Sequence, residues 1–259
     1  MILLALEIEY DGSDFAGWQL QSAGRTVQGE LERAVSSLCG GACVRVQGAG
    51  RTDSGVHAGG QVAHCLVPDS FSVPAEKIPI ALNSRLPDDV RALRVAIPGK
   101  PFHARYDACA REYSYKMSRE VGVFARRFVS HIKFPFDGSR LNDCSRLFLG
   151  EHDFTAFSKF NPEQKNHAST IEAVEWTELR RDVYSLTIRA NRFLYGQVRL
   201  MVGAMLDVAR GKRSTDDVEQ ALATGKGGMI SPAAPAQGLT LERVYYPKDK
   251  DPFVNLGQI

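Results

Sequence analysis

The first hundred residues alternate between the two hydrophobic spacings that distinguish strands from helices. A strand pattern comes first, with large side chains at every second position of residues 4–10. Thr26 then has the side chain of a helix N-cap, and apolar residues recur at helical spacing up to residue 38. The remaining patterns are, in order, strands at 44–47 and 62–67, a helix at 75–85 and a strand at 90–96. This order predicts a ferredoxin-like half, in which an antiparallel sheet has both helices on one face.

The second half of the chain repeats that order of patterns. It begins with an alternating run at residues 108–118 and contains its longest helical pattern at about 194–209. We therefore predict an α+β fold of two ferredoxin-like halves, residues 1–100 and 101–247, followed by a C-terminal tail at 248–259. The halves are expected to form one continuous antiparallel sheet, with the helices on one face and the active-site cleft between the halves.

The loop at residues 48–60 joins two strand patterns and contains five glycines. Such a loop has an unusual backbone path and lets a ligand approach the backbone closely. Arg51, two residues before Asp53, can keep that carboxylate ionised or can anchor a phosphate. Asp53 is therefore the candidate catalytic residue. The simpler interpretation is that Asp-Ser-Gly is only a turn closed by local hydrogen bonds.

Residues 50–58 read Gly-Arg-Thr-Asp-Ser-Gly-Val-His-Ala. This string resembles, nearly residue for residue, the catalytic motif of the tRNA pseudouridine synthase A family. The resemblance implies that Asp53 is the nucleophile that isomerises uridine to pseudouridine. This reaction replaces the bond between ribose and uracil N1 by a bond between ribose and uracil C5. Because nothing is oxidised or consumed, no cofactor is expected. Attack at the ribose C1′ and attack at the uracil C6 both remain open.

Residues 102–115 resemble the second motif of the family, in which a strand tyrosine stacks on the target uracil. That residue is Tyr113 here. A stacked aromatic ring contributes roughly 1–3 kcal/mol to binding of a flipped base, and Tyr113 or a water is a candidate base for the C5 proton. Without the resemblance, an aromatic in the core of a strand is the simpler interpretation.

Residues 192–203 resemble the third motif, whose arginine pairs with the nucleophile and corresponds to Arg199. Where the family usually has His-Met, this chain has Gly196 and Gln197, so no role of that histidine is carried over. On pattern alone, Arg199 is equally compatible with a solvated arginine on an amphipathic helix. Leu239 matches an apolar residue that the family places against the target base, and a core leucine is again the alternative.

Composition neither indicates nor excludes a nucleic-acid partner. The 259 residues are 44% hydrophobic and carry a formal net charge of +2. No apolar run approaches a membrane span and the N-terminus does not resemble a signal peptide, so we expect a cytoplasmic protein. His57 and His64 lack neighbouring thiolates or carboxylates at metal-binding spacing, so no metal is expected.

Several local basic groups could form a groove that follows an RNA backbone. They are Arg91, Arg94, Arg126, Arg127, Arg180, Arg181, Arg189, Arg192, Arg210, Lys212 and Arg213. The family resemblance implies that the partner is tRNA, that the targets are uridines 38–40 of the anticodon arm, and that the protein is a homodimer.

Two other functions are compatible with parts of the sequence. Asp-Ser-Gly also matches the signature of aspartic proteases, although Arg51 and Thr52 stand where that fold usually has apolar residues. A non-catalytic RNA-binding module is the second alternative, because ferredoxin-like sheets also bind single strands. The aromatic signature of such modules is absent from this chain.

Overall fold

The computed structural model describes residues 1–225 and 230–254, which pack as two compact units. The N-terminal unit contains Met1–Cys109 together with the chain from Leu241 onward, and the C-terminal unit is Ala110–Thr240. The predicted boundaries of the two ferredoxin-like halves, at residues 100 and 247, remain a prediction. Residues 255–259 of the predicted tail lie outside the described residues.

The N-terminal unit has the predicted order of elements. They are β1 (Ile2–Tyr10), α1 (Val27–Leu38), β2 (Val46–Gly48), β3 (His57–Val67), α2 (Ile78–Asn83) and β4 (Val90–Ala96). Strand β1 pairs antiparallel with both β3 and β4, and β2 pairs antiparallel with β3. The large residues predicted to alternate on β1, such as Leu4, Leu6 and Ile8, are buried in the core.

The start of the first helix agrees with the sequence prediction, and the start of the second does not. Thr26 caps α1 as predicted, since its Oγ1 accepts the N–H of Gly29 at 3.2 Å. The second helix is shorter than predicted, because residues 75–77 form a separate 3-10 turn before α2. Pro79 lies in the first turn of α2 and has no N–H to donate to an upstream carbonyl, so the α-helix cannot extend back through it.

The C-terminal unit is also mostly antiparallel. Its elements are β5 (Ala110–Ser118), β6 (Ser130–His131), α3 (Ser139–Arg146), β7 (Gly150–Asp153), β8 (Ala168–Arg180), β9 (Val183–Ala190), α4 (Gln197–Ala209) and α5 (Thr215–Thr224). Strand β9 lies between β5 and β8 and pairs antiparallel with both, and β7 pairs antiparallel with the other edge of β8. Among these described strands, the short β6 alone pairs in parallel, with β5. The predicted α+β class with antiparallel pairing is therefore confirmed.

The last strand, β10 (Leu239–Tyr245), crosses the boundary between the units, and Leu241–Tyr245 lies beside β3 in the N-terminal unit. Within residues 1–225 and 230–254, no helix has the length and hydrophobicity needed to cross a membrane.

Helix α4 begins later than its apolar spacing predicts. The spacing extends back to Leu194, but Gly196 has a φ of +72° and breaks the helix there. The buried Gln197 side chain then accepts the N–H of Leu194 at 2.7 Å, which satisfies a donor at the helix start. Arg199 consequently lies in the first turn of α4.

Candidate active site

The candidate catalytic loop is shorter than predicted, because β3 begins at His57 and residues 57–60 are strand rather than loop. Gly60 belongs to the strand because of its neighbour β10. A Cβ at Gly60 would lie 2.4 Å from the carbonyl oxygen of Glu242, so glycine lets the two backbones approach. The loop between β2 and β3 is therefore residues 49–56.

Asp53 occupies a tight turn inside this loop. The N–H of Val56 donates to the Asp53 carbonyl at 3.1 Å, and Gly55 has a φ of +77°. A turn was the simpler interpretation of Asp-Ser-Gly, and its backbone is indeed a turn. Because backbone groups close it, the turn also fixes the position of the Asp53 Cα. Asp53 is half-buried, while Arg51 and Ser54 on either side are exposed.

The segment that follows β1 braces the turn on both sides of Asp53. The N–H of Trp18 donates to the Thr52 carbonyl at 3.1 Å, and the Ser54 hydroxyl donates to the Phe15 carbonyl at 3.0 Å. Trp18 itself is buried. Residues 52 and 54 are thus both attached to the same segment, which holds Asp53 between them.

Two glycines of that segment make the close approach possible. A Cβ at Gly17, whose φ is +107°, would lie 2.9 Å from the Thr52 carbonyl oxygen. A Cβ at Gly12 would lie only 1.9 Å from the carbonyl oxygen of Val56. Sequence patterns missed this role, since residues 13–25 have no regular hydrophobic spacing. The two glycines close to Trp18 were the available signal.

A buried polar network supports the loop from inside the unit. The Tyr10 hydroxyl lies 2.9 Å from the Thr52 Oγ1, and the Gln61 Nε2 donates to the Gly50 carbonyl at 2.9 Å. Burial raises the pKa of Tyr10 to about 12, although hydrogen bonds with Thr52 and Gln61 oppose the shift. The phenol is therefore protonated at neutral pH and serves as a hydrogen-bonding partner for the loop.

Replacing Tyr10 by phenylalanine should lower the free energy of unfolding by about 1–3 kcal/mol, because the buried Thr52 hydroxyl loses its partner. Urea titration of the two proteins measures the difference. Tyr195→Phe, at a half-exposed tyrosine, is the matched control and should change little. Equal stability of the Tyr10→Phe variant and the wild type would show that the network does not hold the loop.

The C-terminal unit contains the other predicted site residues. Tyr113 lies on β5 and is 8% exposed, with its ring edge-on to Phe193 at 5.2 Å between centroids. Phe193 was not singled out from the sequence, although it lies inside the third motif. Its contact restricts the orientation of the Tyr113 ring.

Arg199 is fixed to the segment that precedes β10. Its Nε donates to the Ala234 carbonyl at 2.8 Å, and the N–H of Ala234 donates to the Arg199 carbonyl at 2.9 Å. Gly203 allows this packing, since a Cβ there would lie 2.0 Å from the Pro232 carbonyl oxygen. Arg199 is therefore an oriented side chain, unlike the solvated arginine that the helical pattern alone allowed.

Tyr115 lies near the charge of Arg199 and bonds to the segment that precedes β10. Its hydroxyl donates to the Pro235 carbonyl at 3.1 Å, burial raises its pKa, and the charge of Arg199 opposes that rise. A Cβ at Gly238 would lie 2.8 Å from the Tyr115 ring, so the residue before Leu239 packs directly on this tyrosine. Leu239 is 5% exposed. The C-terminal unit thus brings Arg199 and the segment leading to Leu239 together around Tyr115.

Part of the predicted basic surface is neutralised by carboxylates. Arg94 pairs with Glu7, Arg189 with Glu172 at 3.0 Å, and Arg210 with Asp207 at 2.5 Å. His57 has a structural hydrogen bond, since the Gly12 N–H donates to its Nδ1 at 3.0 Å. Across the described ranges, no group of three or more His, Cys, Asp or Glu side chains could hold a metal ion.

Comparison with known proteins defines the class of this enzyme. A sequence profile described as tRNA pseudouridine synthase matches residues 7–107 and 144–247. The chain belongs to the tRNA pseudouridine synthase family, and it is an isomerase that acts on uridine in tRNA. The predicted membership of this family is therefore confirmed.

Relatives from several bacteria are similar over almost their whole length. The tRNA pseudouridine synthase A of Halalkalibacterium halodurans is 41% identical over 239 residues, which is 91% of this chain and 89% of that protein. The protein of the same name from Bacillus pumilus is 38% identical, over 92% of this chain and 97% of that protein. The two alternative functions were wrong, because the family is catalytic and the fold is not the all-β fold of a small aspartic protease.

Proposed function

We propose that the protein converts uridine to pseudouridine at positions 38–40 of the tRNA anticodon arm, with Asp53 as the nucleophile. The observation that carries this proposal is the braced turn, which fixes Asp53 between two residues attached to the segment after β1. A nucleophile that the fold already holds in place loses little further conformational freedom when it aligns with a reacting carbon of the bound substrate. The matched relatives, named tRNA pseudouridine synthase A, support the choice of substrate.

The reaction exchanges one C–N bond for one C–C bond. On the C1′ route, the Asp53 carboxylate bonds to ribose C1′ while the bond from C1′ to N1 breaks, and the uracil leaves as an anion. The uracil turns, C5 bonds to C1′ and the carboxylate departs. A base then removes the C5 proton, and N1 takes up a proton. On the C6 route the carboxylate adds to the uracil first, and the same bonds are finally exchanged.

The other site residues have proposed roles in binding and orientation. Tyr113 stacks on the target uracil, and Leu239 contacts the same base from the start of β10. Arg199 pairs with Asp53, while Arg51 contacts a phosphate of the RNA backbone. We also propose that the cleft for tRNA lies between the two halves, that the protein is a homodimer and that it acts in the cytoplasm.

Position-specific detection of pseudouridine tests the substrate assignment. Purified protein is incubated with a tRNA transcript carrying uridines in the anticodon arm, and pseudouridine is mapped by carbodiimide labelling and primer extension. Stops are expected only at uridines 38, 39 or 40, and changing those uridines to cytidine should remove them. Pseudouridine confined to another arm of the tRNA would contradict the proposed positions.

A pair of variants separates the two proposed roles of Tyr113. Tyr113→Phe keeps the ring and should bind tRNA within twofold of the wild type, while its turnover falls by about a hundredfold or more if the hydroxyl transfers the C5 proton. Tyr113→Ala should lose both binding and turnover. Filter binding and turnover at saturating tRNA measure the two effects. If Tyr113→Phe turns over at the wild-type rate, the hydroxyl has no role in proton transfer and Tyr113 acts only by stacking.

A further inference from the structure

A short turn after β4 presents an aromatic ring to solvent. Tyr106, at the tip of residues 102–107, is 76% exposed. Single exposed aromatic residues are common on protein surfaces and need no function. The way in which this ring is supported is what distinguishes it.

Three rings contact one another in series from the core to the surface. The His64 and His103 centroids are 4.5 Å apart with an interplanar angle of 56°, and the His103 and Tyr106 centroids are 4.3 Å apart with an interplanar angle of 32°. His64 is buried, and its Nδ1 accepts the N–H of Ala104 at 3.2 Å. Burial, with a smaller contribution from His103, lowers the pKa of His64 to about 4. The inner ring is therefore neutral at physiological pH and supports His103 without adding a charge.

The backbone of the turn is held at several points. His103 Nδ1 accepts the N–H groups of both Arg105 and Tyr106 at 3.2 Å, and the Asp107 carboxylate accepts the His103 N–H at 2.7 Å. That carboxylate also binds the Lys250 ammonium at 2.5 Å. The exposed ring therefore stands on an ordered base, and little conformational freedom remains to be lost when something stacks on it.

Residues after β10 add a further attachment. The Tyr246 hydroxyl donates to the Ala104 carbonyl at 2.7 Å, and the Tyr246 ring packs 5.1 Å from that of Phe102. Two parts of the N-terminal unit that are distant in sequence thus converge to hold one exposed tyrosine. The guanidinium of Arg105 lies 5.8 Å from the Tyr106 ring centroid, which places positive charge close to the exposed ring.

We propose that Tyr106 is a stacking platform for an unpaired nucleobase of the bound tRNA, additional to the contact of Tyr113 with the reacting uridine. This inference depends on tRNA being the substrate, as proposed above. An ordered aromatic ring beside a cation has the properties that single-stranded nucleic acid requires, since any base offers a flat π face and the adjacent backbone is anionic. The contact tolerates different bases and orients the tRNA without reading its sequence.

Affinity measurements at several salt concentrations test the platform. Tyr106→Ala should raise the Kd for an unmodified tRNA transcript by about 5- to 100-fold. The slope of log Kd against log salt concentration should stay within experimental error of the wild-type slope, because stacking releases no counterions. Tyr106→Trp should retain wild-type affinity. Phe124→Ala, at a residue that is 99% exposed in the C-terminal unit, is the matched control and should bind normally.

The Tyr106→Trp variant also gives a direct optical signal. Trp18 and Trp176, the two native tryptophans, are buried, so a quench of the added indole by tRNA would report a base stacked on it. A Kd of Tyr106→Ala within twofold of the wild type would overturn the platform, as would an equal loss in Phe124→Ala. If wild-type protein neither binds nor modifies tRNA, the proposed function itself fails, and this result is distinct from a defect confined to Tyr106.

Discussion

Replacing Asp53 by asparagine is expected to reduce pseudouridine formation by at least about a thousandfold, to below detection. Asparagine has nearly the same shape as aspartate, but its neutral amide is a far weaker nucleophile. Nucleoside chromatography of digested tRNA after a long incubation measures the product. The fold should be unaffected, because the turn is closed by the backbone bond from Val56 to the Asp53 carbonyl, which asparagine preserves.

Asp88→Asn is the matched control for this experiment, since Asp88 is an exposed aspartate of the same unit. It should retain wild-type activity. Thermal unfolding and tRNA affinity should be unchanged in both variants, so that a loss of product in Asp53→Asn reports chemistry alone. Substantial pseudouridine formation by Asp53→Asn would mean that Asp53 contributes only a turn.

Gly12→Ala is expected to be the most destabilising single-methyl substitution near the site. The added Cβ would lie 1.9 Å from the Val56 carbonyl oxygen and 2.5 Å from its carbon. The backbone cannot easily move away, because the Gly12 N–H donates to His57 and the Gly12 carbonyl accepts the N–H of Phe15. We expect the free energy of unfolding to fall by about 3 kcal/mol or more, at the upper end of overpacking effects. Urea titration measures the change.

Activity should fall in the same variant, because Val56 closes the turn that holds Asp53. Gly99→Ala is the control, since a Cβ there meets nothing within 4 Å. Its stability should change by no more than about 0.5 kcal/mol, as is usual for surface substitutions. A Gly12→Ala variant as stable as the wild type would show that the segment after β1 is not held tightly against the loop.

Local sequence signals predicted the elements because their causes are local. The period of two in residues 4–10 reflects side chains on alternate faces of β1, and the Thr26 hydroxyl bonds to an amide three residues away. Such features do not depend on how the rest of the chain packs.

The support of Asp53 could not be predicted in this way, because it depends on contacts between distant residues. Trp18 bonds to Thr52 through backbone groups that are common to almost all residues, and the Ser54 hydroxyl bonds to a backbone carbonyl, that of Phe15, which every residue also has. Only the glycines at positions 12 and 17 indicate in the sequence that another backbone approaches closely. Which part of the chain approaches them depends on tertiary packing. The early start of β3 has a similar cause, since Gly60 is needed for the approach of β10.

The resemblance of three motifs identified residues that patterns alone left ambiguous. Arg199 is held by Ala234 on both its side chain and its backbone, and the left-handed Gly196 with the buried Gln197 sets where its helix starts. This arrangement gives a physical reason for glycine at position 196, because a side chain there would be strained at a φ of +72°. The roles of Asp53, Tyr113 and Leu239 in the reaction remain predictions.

Tritium release from tRNA labelled at C5 of uridine tests the central claim most directly, because the C5 proton is lost only when C5 forms the new bond to ribose. The wild-type protein is incubated with labelled transcript in a buffer containing only salt and a chelator. We predict release of one tritium for each pseudouridine formed, without added metal or cofactor, and no release from transcripts that lack uridine at positions 38–40. No release above background from an anticodon arm that contains these uridines would contradict the account.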